Sequence, residues 1–259
     1  MFVICAYKES PYLHLCIESL KKQSMKSTIV CATSTPNSHI ENICQEYGVQ
    51  VYVNQESRGI ASDWNFALLA GRDADYITLV HQDDIYEPKF LEETIKYMNK
   101  AKKPLIAFTD YYEIRNDKKI EYNRLLRIKR IMMILWRVPA LWKIPIIYKM
   151  VFLFGCPICC PSVTFARKHL PNEALFNEDY KNSCDFLAWV ELRDLAGDFV
   201  YCPKRLMGHR IHAESETSLR ISDNTRSDED LKILTKLAPQ KLAKIIHYFY
   251  IKAMNSNKT

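Results

Sequence analysis

Glycine is scarce in this sequence, six residues in 259, and none stands in the first candidate loop, Tyr7-Lys8-Glu9-Ser10. That argues against a nucleotidyltransferase, whose first strand should run into a glycine-rich loop that cradles phosphate. Long apolar runs are missing as well. The stretch 128–154 is interrupted by Arg130, Arg137, Lys143 and Lys149, and 150–166 by Gly155, Pro157 and Pro161. Neither offers the ~20 apolar residues of a membrane span. The opening apolar run reaches only Cys5 before Lys8 and Glu9 follow, too short for an export signal, so a reducing cytoplasm is expected. There is no internal repeat, no low-complexity segment and no zinc-finger, helix-turn-helix or RRM signature, so nucleic acid is not an expected partner. Cysteine, by contrast, is plentiful. The nine lie on apolar faces (Cys5, Cys16, Cys31, Cys44) or cluster at Cys156-Pro157-Ile158-Cys159-Cys160. The C-x-x-C there has no second pair at zinc-site spacing, so the cysteines read as buried thiols rather than as a disulfide framework or a metal site.

What is present describes a globular α/β protein. Hydrophobic residues make up 48% of the chain, enough for a real core. The net charge of +6 is concentrated between Arg124 and Lys149 and again between Lys232 and Lys244, which favours anionic partners. The first half alternates strand and helix signals. Strands are expected at Phe2–Ala6, 27–32, 49–53, 76–80 and 104–109. Between them, helical stripes include Leu13, Cys16, Ile17 and Leu20, which follow a Ser10-Pro11 start, and Ile40, Ile43, Cys44 and Tyr47, which Gly48 closes. Repeated βα units imply a mostly parallel sheet flanked by helices. Later, 162–166 and 199–202 read as strands, 184–195 as a helix, and the chain from Asp228 as a basic helix.

Ligands of such sheets bind beyond the carboxyl ends of the strands. Tyr7-Lys8-Glu9, Thr33-Ser34-Thr35 and His81-Gln82-Asp83-Asp84 fall at those ends. Two adjacent carboxylates ending a buried strand are costly unless a charge compensates them, and a hard divalent cation does so. The plainer reading is a solvated acidic turn before a helix.

In order along the chain, five segments resemble a bacterial family 2 glycosyltransferase of the GT-A fold. They are Val3-Ile4-Cys5-Ala6-Tyr7-Lys8-Glu9; residues 54–65, a glycine-then-asparagine helix; His81-Gln82-Asp83-Asp84, at the family's acidic DxD-type motif; Asn182-Ser183-Cys184-Asp185, at the segment of the catalytic aspartate; and Arg210-Ile211-His212, at the closing R-x-H motif. The resemblance spans roughly residues 2–218. It implies an α/β GT-A, Rossmann-like fold over 1–225, with a basic, aromatic helical insertion at 120–155 and a basic helical tail at 226–259. It also implies an inverting sugar transfer from a nucleotide-diphosphate donor, a UDP-sugar, to a glycan or lipid-linked acceptor in surface polysaccharide synthesis (capsule or lipopolysaccharide O-antigen).

On this resemblance Asp83 ligates Mn²⁺ or Mg²⁺, with His212 as a further ligand. Asp185 is the general base, with Glu178 and Asp179 as rival acids nearby. Ala6, Tyr7, Glu9, Thr33, Arg58, Asn65, His81, Gln82, Asp84 and Arg210 contact the nucleotide sugar, and 155–164 borders the acceptor. Two positions depart from the family. Ala32-Thr33-Ser34 replaces aspartates at the second strand end, and His81 replaces the first acid of the DxD-type motif. A catalytically silent scaffold of a polysaccharide-assembly complex is the alternative that these departures leave open. For the insertion, two readings stand. Trp136, Trp142 and Tyr148 lie with the basic residues in a membrane interface, or they pack on the domain while the lysines snorkel to water.

Overall fold

In the computed structural model, which describes residues 1–171, 174–212 and 225–255, β1 (Phe2–Ala6) lies between β2 (Ile29–Thr33) and β4 (Tyr76–His81). Successive strand side chains point to opposite faces. Phe2, Ile4 and Ala6 therefore enter one apolar cluster and Val3 the other. The first cluster is covered by α1 (Leu13–Lys21), α2 (Ser38–Glu46) and α4 (Phe90–Met98). Leu13, Cys16, Ile17 and Leu20 are all buried, as their helical spacing requires. The second is covered by α3 (Ile60–Ala70), α6 (Pro145–Phe152) and α7 (Cys184–Leu192). Gly48 closes α2 at φ +61°, the left-handed stop that glycine tolerates without strain.

The sheet order is β3 (Gln50–Val53), β2, β1, β4, β8 (Val163–Ala166), β6 (Pro104–Arg115), β9 (Asp198–Ile211) and β5 (Ile85–Tyr86), with β7 (Lys118–Ile120) on β6. β1 to β4 pair in parallel, and so do β6 and β9. β8 runs antiparallel to both its neighbours. The sheet is thus mostly parallel, with β8 reversed inside it and β5 and β7 reversed at its margin.

Two strands are much longer than expected. The strand expected to end at Thr109 continues to Arg115, and the one expected at 199–202 continues to Ile211. Thr109 pairs with Cys202, but Asp110 pairs with Arg205, so Pro203 and Lys204 are extra residues on β9. Proline cannot donate to the ladder and falls naturally at such a bulge. The interruption hides one strand as a shorter one.

The insertion forms α5 (Arg124–Met132), two short 3-10 turns and α6. Trp136, Trp142 and Tyr148 are buried in the second core cluster, which corrects the reading that sets them in a membrane interface. Arg130 is likewise spent internally, on the Asp110 carboxylate at 2.8 Å. What the insertion exposes instead includes Ile131, Ile134, Val138 and Ile146, along with Tyr122, Met150 and Phe154. No helix among the described residues is long and apolar enough to cross a membrane.

The tail is two helices, α8 (Thr225–Leu237) and α9 (Gln240–Asn255), which meet at Pro239. Ile233, Leu234, Leu237 and Ala243 join the same core as α6 and α7. The tail is therefore packed into the domain, while Leu242 and Ile245 are exposed.

Candidate active site

The carboxyl ends of β1, β2 and β4 converge, as the strand-end rule requires. Gln82 grips the backbone of Tyr7 at both ends of its amide: Tyr7 N–H donates to Oε1 at 3.2 Å, and Nε2 donates to Tyr7 O at 2.7 Å. Lys8, at φ +55°, donates its N–H to Thr35 Oγ1 at 2.6 Å. Thr33 Oγ1 accepts from Thr35 N–H at 3.1 Å and is buried. Ala6 is buried at the end of β1, whereas Tyr7 and Glu9 face solvent.

Asp83 is a partly exposed member of a polar knot. Ser10 Oγ donates to one of its carboxylate oxygens, and His212 Nε2 lies 3.0 Å from the other. Ser10, expected to cap α1, gives α1 only a 3.3 Å contact with Tyr12 N–H, and α1 begins at Leu13 without a side-chain cap. Arg210 donates from Nε to Asp83 O at 3.1 Å and from Nη1 to Asp117 at 2.7 Å, with its guanidinium 4.1 Å from the Tyr12 ring centroid. Its side chain is only 5% exposed, so it is no surface arginine.

Four expected ligand contacts have internal partners instead. Asp84 is 1% exposed and accepts from Arg210 N–H at 2.9 Å, with His209 Nδ1 at 3.1 Å. The Asp84 carboxylate holds the His209 imidazole above its usual pKa against the opposing effect of burial. Gln82 is occupied by Tyr7. Asn65 is occupied by Phe176, whose O accepts at 2.7 Å and whose N–H donates at 2.9 Å. The His81 ring stacks on Trp64 with centroids 5.2 Å apart, and its Nε2 is buried with no hydrogen-bond partner among the described residues. Burial holds the His81 pKa below the usual imidazole value, against the opposing charges of Asp84 and Asp83. Arg58 lies outside the knot, largely exposed and 3.7 Å from Glu178.

Asp63 is a residue the sequence did not single out. It receives Ser34 Oγ and Asn54 Nδ2, each at 2.8 Å. The corner beside β2 thus has a carboxylate, supplied from α3.

Asp185 opens α7, and its Oδ1 accepts from Phe186 N–H at 2.7 Å. Burial raises its pKa, opposed by the positive charges of Arg226 and Lys129. The segment before it is clamped by α8. Both oxygens of Glu229 accept backbone N–H groups, from Lys181 at 2.8 Å, Asn182 at 2.9 Å and Ser183 at 2.8 Å. Ser183 Oγ donates to Asp230 at 2.7 Å. Nothing in the sequence signals this, because a carboxylate in a basic amphipathic helix reads as solvated. Removing Glu229 strands three backbone donors. Glu229→Ala is expected to cost about 3 kcal/mol and to lower Tm by roughly 6–10 °C in a calorimetric scan. An unchanged Tm would mean the clamp adds nothing.

The metal-ligating capacity is modest. Among the described residues no group of three or more His, Cys, Asp or Glu converges. A carboxylate and an imidazole 3.0 Å apart, both about a fifth exposed, still suit Mg²⁺ or Mn²⁺, which take their remaining oxygens from water and phosphate. Ala213-Glu214-Ser215, the end of the R-x-H segment, lies outside the described residues.

The profile described as Glycosyl transferase family 2 matches residues 1–159. The chain is 22% identical over 239 residues to an uncharacterized glycosyltransferase of Haemophilus influenzae, covering 89% of this chain and 71% of that one. It is 22% identical over 231 residues to another from Rickettsia felis, covering 86% of this chain but only 35% of the relative. Among solved structures, TarS of S. aureus superposes with a TM-score of 0.65 at 13% identity, over 96% of this chain and 69% of that one. A TarS structure contains UDP-GlcNAc. The mannosyltransferase PcManGT of Pyrobaculum calidifontis, in complex with GDP-Man and Mn²⁺, superposes with a TM-score of 0.63 at 14% identity, over 95% and 67%. These neighbours have the GT-A fold, and the sheet described above is of that type.

Proposed function

Because the chain belongs to glycosyl transferase family 2, we propose that it moves a sugar from a UDP-sugar to a hydroxyl of a glycan or lipid-linked acceptor in bacterial surface polysaccharide synthesis, with inversion. The observation that carries this reading is the Asp83–His212 pair, held by Ser10 and Arg210 at the end of β4. Asp83 and His212 would hold a divalent ion, Mn²⁺ or Mg²⁺, whose charge offsets that of the departing diphosphate. Arg210, buried and fixed, adds positive charge beside Asp83. Asp185 takes the acceptor proton as the new bond forms, because a sugar hydroxyl is too weak an acid to ionise beforehand. Its raised pKa makes it a better proton acceptor than a solvated aspartate.

The test is a thermal-shift screen of nucleotide sugars with and without Mn²⁺. Metal-dependent stabilisation by UDP-sugars is expected. A chain that no nucleotide sugar stabilises would favour the silent scaffold.

The pH profile offers a second check. Asp185 works only when ionised, so transfer falls as pH drops through its folded pKa, and raising that pKa moves the loss to higher pH. The Arg226 charge holds the pKa down. Arg226→Met should therefore shift the acid limb of kcat/KM upward while leaving the plateau in place. An unmoved limb would separate Arg226 from the base.

Peripheral attachment to the cytoplasmic face of the membrane has support in the exposed Ile131, Ile134, Val138 and Ile146, which lie among the exposed Arg127, Arg137, Lys143 and Lys149. Charge reversal at Arg137 and Lys143 should abolish cosedimentation with anionic vesicles. Arg130 must be left intact in that experiment, since it pairs internally with Asp110.

A further inference from the structure

A lysine ammonium is seldom drawn into a protein without a carboxylate to meet it, because losing its water is costly. Lys129 on α5 is drawn in that way. Its side chain is half-buried, and its ammonium is densely surrounded by protein. Nζ donates to Tyr111 Oη at 3.0 Å, and no carboxylate pairs with it among the described residues. The next residue behaves differently. Arg130 engages the Asp110 carboxylate at 2.8 Å and the carbonyls of Glu121 and Tyr111 at 2.7 and 2.9 Å. An ammonium carries three donors, and Lys129 has spent one on a neutral phenol.

Its surroundings suggest what it is for. Tyr111, to which it donates, lies with its ring 6.3 Å from that of His209, which supports the acidic turn, and packs in one cluster with Cys159; the Lys129 charge also helps hold the Asp185 pKa down. It also acts on Cys156 and Cys159, in the loop expected to border the acceptor. Burial pushes the Tyr111 phenol up to about 12, so its proton remains available to donate. We infer that Lys129 and Tyr111 form an anion-binding subsite on the acceptor side, so that the accepting molecule presents a phosphate or carboxylate beside the hydroxyl that Asp185 deprotonates. This rests on the glycosyl-transfer reading for the role of Asp185. It also answers an electrostatic difficulty: an anionic acceptor would be repelled by the Asp185 carboxylate, and the ammonium offsets that repulsion.

The test uses the full chain. Inorganic phosphate is titrated calorimetrically into the protein alone and into protein saturated with UDP and Mg²⁺, and UDP affinity is measured separately. Lys129→Met removes the charge at similar volume; Lys129→Arg keeps it. The wild type and Lys129→Arg should bind phosphate in both states. Lys129→Met should bind it at least about tenfold more weakly with UDP affinity unchanged. Absence of phosphate binding in the wild type, or equal binding in Lys129→Met, overturns the subsite. Loss of UDP binding in Lys129→Met overturns the acceptor assignment and gives the ammonium to the donor diphosphate. If no form binds UDP, the functional reading fails, yet the phosphate titration still decides the subsite. Should Lys129→Met melt early, Tyr111→Phe replaces it, and unaltered phosphate affinity in that variant counts against the proposal.

Discussion

Asp185→Asn should lower kcat by about 10²–10⁴-fold, the usual share of a general base, while UDP-sugar affinity stays where it was. Asparagine keeps the shape and can still accept the Phe186 N–H that fixes the side chain. It removes only the capacity to take a proton. The effect should therefore fall on kcat, and hydrolysis or transfer should show no acid limb attributable to this residue. Glu178 and Asp179 are poorer candidates for the base. Glu178 lies at the surface near Arg58, and Asp179 is exposed. Normal transfer by Asp185→Asn, combined with loss in Asp179→Asn, would reverse the assignment.

Asp83→Ala should cost about 10³-fold in transfer, comparable to removing a principal charge-stabilising group. It should also erase the response to Mn²⁺. Wild type in chelator and Asp83→Ala in Mn²⁺ should then behave alike. The fold should tolerate the change. Asp83 is partly exposed, and its partners Ser10 and His212 can turn to water. Asp84→Ala makes an instructive contrast. That carboxylate is buried against Arg210 N–H and His209, so its loss should lower Tm as well as activity. An Asp83→Ala protein that kept Mn²⁺-stimulated transfer would remove the acidic turn from the chemistry.

These two residues also mark where the sequence was legible. β1 can be read because Phe2, Ile4 and Ala6 alternate with Val3, and α1 because Leu13, Cys16, Ile17 and Leu20 repeat at helical spacing. Asp83 can be read because a strand runs straight into it. The far end of β9 could not be read, since Pro203, Lys204 and Arg205 look like the end of a strand and the bulge that absorbs two of them depends on β6. Trp136 and Trp142 were ambiguous for another reason. A basic segment rich in tryptophan reads the same whether it meets lipid or a core, and only the tertiary structure decides.

Composition was least informative at the second acid of the turn. Asp83 and Asp84 are adjacent and chemically identical, yet one faces outward and the other is enclosed. That division comes from β9, which brings His209, Arg210 and His212 to the turn from more than a hundred residues away. His81 follows the same logic. As a residue type it suggests ligand contact, but the Trp64 ring beside it makes it part of the wall. The carboxylate missing from the end of β2 reappears as Asp63 on α3, a substitution between elements that a linear reading cannot follow.

The Glu229 clamp has a consequence for the order in which the molecule is made. Asp83 and the β1 loop lie within the first hundred residues, but Arg210 and His212, which meet Asp83, come more than a hundred residues later. The base segment keeps three unanswered backbone N–H groups until α8 arrives, some 46 to 48 residues later. A nascent chain emerging from the ribosome therefore assembles neither the acidic turn nor the Asp185 segment until β9 and α8 have followed. Competence for group transfer comes late in synthesis, with the closing of a helix that touches neither sugar nor phosphate.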